Sequence, residues 1–177
     1  MKQINLVLPA FIFVGLMTVQ SAFAQSHAVR RADFDVNWHF HLGDVPEAKE
    51  TDFADKSWRQ LNLPHDWSIE GTFSKDNPAG VGGGALPGGI GWYRKTFSLP
   101  VVDRDKSVFI DFDGVYMNSD VWLNGHLLGN RPYGYSSFRY ELTPYLNYGN
   151  KPNVISVRVD NSKQPNSRWY SGSGIYR

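Results

Sequence analysis

Along this chain hydrophobic positions alternate with polar ones in short runs, and a period of two predicts strands rather than helices. The cleanest run is Asn153 to Asp160, where Ile155, Val157 and Val159 would face one way and Ser156, Arg158 and Asp160 the other. Val108 to Phe112 sets Val108, Ile110 and Phe112 on one face, and Ser119 to Leu123 does the same for Val121 and Leu123. Asn124-Gly125 then supplies the residues that a two-residue hairpin turn needs, with His126 to Gly129 as the returning strand. Asn37 to Leu42 with Trp38 pointing inward, Leu61 to Leu63 closed by Pro64, Trp92 to Phe97, and Phe138 to Leu142 complete the set. Thr143-Pro144 predicts an N-cap followed by proline in the first turn of a very short helix. No stretch beyond residue 24 holds four turns of helical period. The expectation is therefore an all-β fold of two packed antiparallel sheets; the crossover helices of a βαβ chain are missing.

Three segments break the alternation. Leu6 to Val19 is almost wholly apolar, Lys2 precedes it, and Ala22-Phe23-Ala24 has the small-x-small form of a signal-peptidase site. This pattern predicts a signal peptide over residues 1–24, a mature chain from Gln25, and a secreted or periplasmic location with no membrane association after cleavage; the apolar run is short for a span. Gly43 to Ser57 is acidic and irregular, and Asp55 to Trp58 suits a turn that tucks Trp58 against the core. Gly71 to Gly91 holds eight glycines and two prolines in 21 residues, which predicts a long loop without regular structure. A loop of that length inside a compact domain is more often functional than incidental.

Composition narrows the classes. Loss of Lys2 from 18 basic and 17 acidic side chains leaves the exported chain balanced, without the basic field of a nucleic-acid binder. The absence of cysteine excludes disulfides and thiolate metal sites, and residues 25–177 are enough for one core held by packing alone.

Candidate chemistry is concentrated in aromatic and amide residues. Trp67, Trp92, Tyr93, Trp169 and Tyr170 sit in or beside polar loops, and aromatic faces stack on the C–H faces of sugar rings. Trp38, Trp58 and Trp122 are assigned to core packing. The loop Asp160 to Tyr170 gathers Asn161, Asn166, Arg168 and Trp169, a set suited to sugar hydroxyls or to capping the loop's own backbone. Catalytic readings are poorer. Asp111 and Asp113 share a strand face but satisfy little of the geometry of a glycosidase pair and read as solvated or turn-capping. His39 and His41 lack a third ligand at a recognisable spacing. Ser173 between Gly172 and Gly174 has no helix behind it to form a nucleophile elbow, and the glycine-rich loop lacks the lysine of a phosphate loop. No metal or other cofactor is expected.

Six segments carry a resemblance: Leu61-Asn-Leu-Pro-His-Asp-Trp67, Gly91-Trp-Tyr-Arg-Lys-Thr-Phe97, Asp113-Gly-Val-Tyr-Met-Asn-Ser-Asp-Val-Trp-Leu-Asn-Gly125, Gly134-Tyr-Ser-Ser-Phe138, Val157-Arg-Val-Asp-Asn161 and Arg168-Trp-Tyr-Ser-Gly-Ser-Gly-Ile-Tyr-Arg177. In this order they resemble the N-terminal sugar-binding domain of glycoside hydrolase family 2, and within it the secreted β-galactosidases of Bacteroides-type bacteria. The resemblance covers nearly all of residues 33–177. It implies a jelly-roll β-sandwich of the galactose-binding-domain-like type over residues 25–177, truncated at its C-terminal end. An immunoglobulin-like domain and a (β/α)₈ barrel with both catalytic glutamates would follow it, so the chain alone would be inactive. It also implies a carbohydrate substrate met by Asn77, Asn166, Arg168 and Trp169, with the sugar open among β-galactosides, β-glucuronides and β-mannosides. A stand-alone carbohydrate-binding or structural module is the alternative. Gly174 to Arg177 reads as a strand cut off mid-element, which predicts exposed apolar surface at Ile175 and Tyr176.

Overall fold

The strand pattern is realised in the computed structural model, which describes residues 29–165 and 171–177. The expected signal peptide and Asn166, Arg168, Trp169 and Tyr170 lie outside the described residues. Asp33–Arg177 forms one unit. Its strands are β1 (Trp38–Leu42), β2 (Arg59–Leu61), β3 (Gly89–Phe97), β4 (Phe109–Phe112), β5 (Val115–Tyr116), β6 (Ser119–Leu123), β7 (His126–Arg131), β8 (Phe138–Glu141), β9 (Asn153–Asn161) and β10 (Gly174–Ile175). The one α-helix among the described residues is a single turn, α1 (Trp67–Glu70).

Six strands form an antiparallel sheet in the order β2-β1-β3-β9-β6-β7. Its spine is the nine-residue pairing of β3 with β9, from Gly89 opposite Asn161 to Phe97 opposite Asn153. Two short pairs, β4–β8 and β5–β10, make the second layer. Between the layers lie Trp38, Phe40, Tyr93, Val121, Leu123, Ile155, Val157 and Val159 from the large sheet, against Ile110, Phe112, Val115 and Ile175. This is an all-β sandwich, and burial of its inner face by two-residue alternation is what the sequence predicts. At the β6–β7 turn Asn124 and Gly125 have φ of 51° and 81°, the left-handed pair that a type I′ hairpin requires.

The outer face of the spine departs from expectation. Trp92, Arg94 and Ser156 alternate with core residues and would be solvated on an open sheet, yet each is 1–2% exposed. The irregular acidic segment 43–58 covers them. Arg94 donates to Asp55 Oδ2 at 2.9 Å, to the Glu50 carbonyl and Ser156 Oγ at 3.0 Å each, and to the Ala48 carbonyl. Asp44 accepts from Trp92 Nε1 and from both arms of the Arg158 fork. Trp58 and Trp122 belong to this outer layer rather than to the central core: Trp58 stacks on His41 with centroids 5.2 Å apart and Trp122 on Trp92 at 5.4 Å. Trp122 stands between Val121 and Leu123, so the same alternation that buries them turns it outward.

Other expectations are corrected at element ends. Leu142 occupies the cap position before the 3₁₀ turn Thr143–Tyr145, while Thr143 Oγ1 accepts from Val108 N at 2.9 Å and anchors the start of β4. The glycine-rich stretch contains a 3₁₀ turn, Val81–Gly83, and β3 begins inside it at Gly89. Gly91 belongs to the strand because the Trp67 and Phe40 rings lie against it; a Cβ there would come 2.7 and 2.9 Å from them. Ile175 is buried rather than exposed, since β10 pairs with β5, and Tyr176 donates its hydroxyl to the Gly134 carbonyl at 2.7 Å.

Candidate functional site

The end of the sheet where β3 begins and β9 stops gathers three segments far apart in sequence. Asp66 caps α1, its Oδ1 accepting from Ser68 N at 2.9 Å, and the same oxygen accepts from Ser173 N at 2.8 Å. His65 N and Trp67 N donate to the carbonyls of Ile175 and Ser173. A chain of side-chain hydrogen bonds then crosses the end. Asn161 Nδ2 donates to Ser173 Oγ (2.7 Å), leaving that hydroxyl proton for Ser68 Oγ (2.6 Å), whose own proton goes to the Pro87 carbonyl (2.6 Å). Each hydroxyl gives one bond and receives one, as a buried hydroxyl must to avoid an orphaned group. Trp67 Nε1 donates to the Gly88 carbonyl at 3.1 Å, so the base of loop 71–88 is held to the same frame as Asn161, Gly172 and Ser173.

Below this chain lies a second network. His65 is 6% exposed, with Nδ1 2.7 Å from Tyr93 Oη and Nε2 3.1 Å from Glu70 Oε2. An ionised carboxylate only accepts, so Nε2 carries the proton and Nδ1 receives the Tyr93 hydroxyl. Arg59 grips Glu70 through both arms, at 2.5 and 2.9 Å. Its hydrogen bonds, with that of His65, pull the Glu70 carboxyl down to about 2. Burial pushes the His65 imidazole below its ordinary value and the Tyr93 phenol well above its own. With His65 and Tyr93 closed to solvent, this group braces the 65–70 segment rather than offering acid–base chemistry to a ligand.

Asn77 is half-buried in the glycine-rich loop. Its Nδ2 donates to the carbonyls of Thr72 (2.9 Å) and Ala85 (2.8 Å), and its own carbonyl accepts from Gly80 N (2.8 Å). Both amide hydrogens are thus used to fold the loop, and Oδ1 is the atom left to meet a ligand. Asn161 is committed to Gly172 and Ser173. Among the described residues no three or more His, Asp or Glu side chains converge to hold a metal ion, and no helix is long and apolar enough to cross a membrane.

The model of the glycosyl hydrolase 2 galactose-binding domain-like family matches residues 91–171. Residues 91–171 are thus a galactose-binding-like domain of glycoside hydrolase family 2. The chain is 65% identical over 147 residues to Beta-galactosidase BoGH2A of Bacteroides ovatus, covering 83% of this chain and 17% of that protein. It is 50% identical over 162 residues to a putative beta-glucuronidase of Formosa agariphila, covering 91% of this chain and 16% of the relative. Among solved structures, a beta-glycosidase from Bacteroides vulgatus superposes with a TM-score of 0.78 at 55% identity, over 81% of this chain and 19% of that one. The chain thus spans about a sixth of the length of these curated relatives.

Within the sandwich the aromatic residues divide differently from the sequence reading. Trp67, Trp92 and Tyr93 are 3%, 1% and 0% exposed and offer no face to a sugar. Trp67 and Tyr93 pack inward with Phe40, and Trp92 faces the covered outer layer because it alternates with Tyr93. Their polar sequence neighbours suggested loops, whereas two-sided burial of β3 decides their place. Asp111 is the partner of Arg139 in a surface fork at 2.6 and 2.9 Å. The Asn161–Ser173–Ser68 chain leaves no signal in the sequence: its members lie up to 105 residues apart, and serine carries no pattern of its own.

Proposed function

We propose that this domain is the non-catalytic, substrate-shaping part of a longer exported glycosidase that removes terminal β-linked sugars from oligosaccharides with retention. The catalytic acid/base and nucleophile would be carboxyls of a following barrel domain, about 5 Å apart as that stereochemistry requires. Asn77 Oδ1 accepts from a sugar hydroxyl, and Asn166, Arg168 and Trp169 line the same subsite from the second loop. The observation that carries this reading is the hydrogen-bond chain from Asn161 through Ser173 and Ser68 to Pro87, which ties the bases of both loops at one end of the sheet. Such a frame raises the rate only where its contacts persist in the transition state. The relatives' names support a β-galactoside or a β-glucuronide as substrate.

The test is made in the full-length protein with aryl β-galactoside and β-glucuronide. Arg168→Ala, Trp169→Ala and Asn77→Ala should each lower kcat/KM about 10- to 100-fold, or roughly 1.4–2.7 kcal/mol, on the preferred substrate. Unfolding of each variant is followed in parallel, because Asn77 also folds its loop. Unchanged kcat/KM in all three would end this reading, as would hydrolysis by residues 25–177 alone.

A further inference from the structure

The opposite end of the spine carries two adjoining depressions. β9 spans Asn153–Asn161, and eight steps at about 3.3 Å set this end roughly 26 Å from the loops described above. One depression, shallow and about 420 Å³, is lined by Arg104, Leu146, Asn147, Tyr148 and Lys151. The other, also about 420 Å³ and more enclosed, lies between Thr51, Asn124, His126 and Tyr145, with Asn147 and Lys151 shared.

Their lining combines cations, amides and aromatic rings. Arg104 stands 5.8 Å over the Tyr148 ring, and neither Arg104 nor Lys151 has an ion-pair partner among the described residues. The buried Tyr148 Oη has no hydrogen-bond partner, a costly state for a phenol unless a ligand meets it. The exposed rings of His126 and Tyr145 stack at 4.6 Å and 17° beside the second depression. The floor is fixed by amides: Asn153 Oδ1 accepts from Asn124 Nδ2 at 2.9 Å and from Asn147 N at 2.7 Å, and Asn147 Nδ2 donates to the Pro152 carbonyl.

Two cations without ion-pair partners, an unsatisfied hydroxyl, and an aromatic pair with amides around adjoining depressions match a sugar ring that carries a carboxylate. We propose that this end is a second saccharide site, selective for a uronate residue. Arg104 and Lys151 take the carboxylate by charge-assisted hydrogen bonds, Tyr148 Oη meets a ring oxygen or hydroxyl, and the Tyr145 side receives the apolar face. Placed so far from the loop subsite, it would hold a distant part of an acidic glycan. The inference does not rest on Asn77 or residues 166–169 touching sugar.

The test is a titration of the ¹⁵N-labelled full chain with sodium glucuronate, glucose and sodium sulfate, followed by amide shifts. Glucuronate should move the amides of Arg104 and residues 145–151 with millimolar affinity, and glucose and sulfate should each bind about tenfold more weakly or not at all. Arg104→Gln and Lys151→Gln, both at exposed positions, should each weaken glucuronate about tenfold with core amides unmoved. Sulfate binding as tightly as glucuronate would reduce the site to a bare anion site and overturn the proposal. So would an absence of shifts at these residues, or shifts indifferent to both variants. Shifts confined to residues 71–88 would also overturn it while supporting the loop subsite.

Discussion

The two faces of the β3–β9 spine are both buried, but by opposite chemistry. The inner face is closed by Tyr93, Ile155, Val157 and Val159, all 0% exposed, packed against the second layer. The outer face is closed by Arg94, Ser156 and Trp92, held under the 43–58 segment by hydrogen bonds to its carbonyls and carboxylates. An apolar face tolerates any neighbour of fitting shape, whereas a buried guanidinium is stable only when its donors are met, so it fixes where each carbonyl of the covering segment must lie. Segment 43–58 has little regular structure of its own, and its path is set from beneath.

If that contrast is right, Arg94→Met should be the most damaging single change, because it takes the guanidinium from Asp55 Oδ2 and from the Ala48, Glu50 and Phe53 carbonyls under cover. The expected loss is about 3–5 kcal/mol in urea unfolding. Segment 43–58 should also become sensitive to limited proteolysis before the sheet unfolds. An inner-face truncation, Ile155→Ala, should cost about 2–4 kcal/mol but act globally, with no selective cutting of that segment. Equal protease patterns for the two variants would break the distinction.

The same contrast explains what could be read from the sequence. Ile155, Val157 and Val159, or Ile110 and Phe112, announce themselves by period two, and Asn124-Gly125 announces its hairpin, because each signal sits within a few residues of its consequence. Arg94 and Ser156 read as solvent-facing, since nothing local says that residues 44–55 will cover them. Trp67 and Trp92 read as sugar platforms from the polarity of their neighbours, and long-range packing buries them instead. At the loop end Asn77 and Asn161 can be singled out and followed into the structure, and the side-chain donors of both are engaged in holding the chain itself.

The loop end offers a smaller test of how polar burial organises distant segments. Ser173→Ala removes the middle of the chain from Asn161 to Pro87 but leaves Asn161 Nδ2 its bond to the Gly172 carbonyl and Ser68 its bond to Pro87. With both neighbours retaining one partner, the cost should be about 1–2 kcal/mol. Hydrogen exchange should quicken at Gly88 and Gly172 more than along the spine. A loss as large as that of Arg94→Met would mean that this chain, not the outer clamp, governs the fold.

The smallest expected effect is on pH dependence, and it tests whether the His65–Glu70 brace behaves as a buried neutral imidazole beside a paired carboxylate. Because the His65 value in the fold lies below the ordinary 6.5, the unfolded chain binds the proton first. Stability contributed here is complete above about 6.5 and falls as the pH drops toward the folded value, by at most about 1.4 kcal/mol per pH unit for one proton. Glu70 acts in the same direction at lower pH: its pairing counts fully above about 4.5 and is lost as pH falls toward about 2. With Glu70 and Arg59 side chains 40% and 55% exposed, solvent screens most of that second step, so the first should dominate. His65→Gln keeps an acceptor for Tyr93 and a donor for Glu70 without a titrating ring, and should flatten the stability profile as pH falls below about 6.5 while leaving the carboxylate losses at more acid pH in place. A profile unchanged by that substitution would mean that His65 takes up its proton in the folded state as readily as in the unfolded one, and that the brace is open to water.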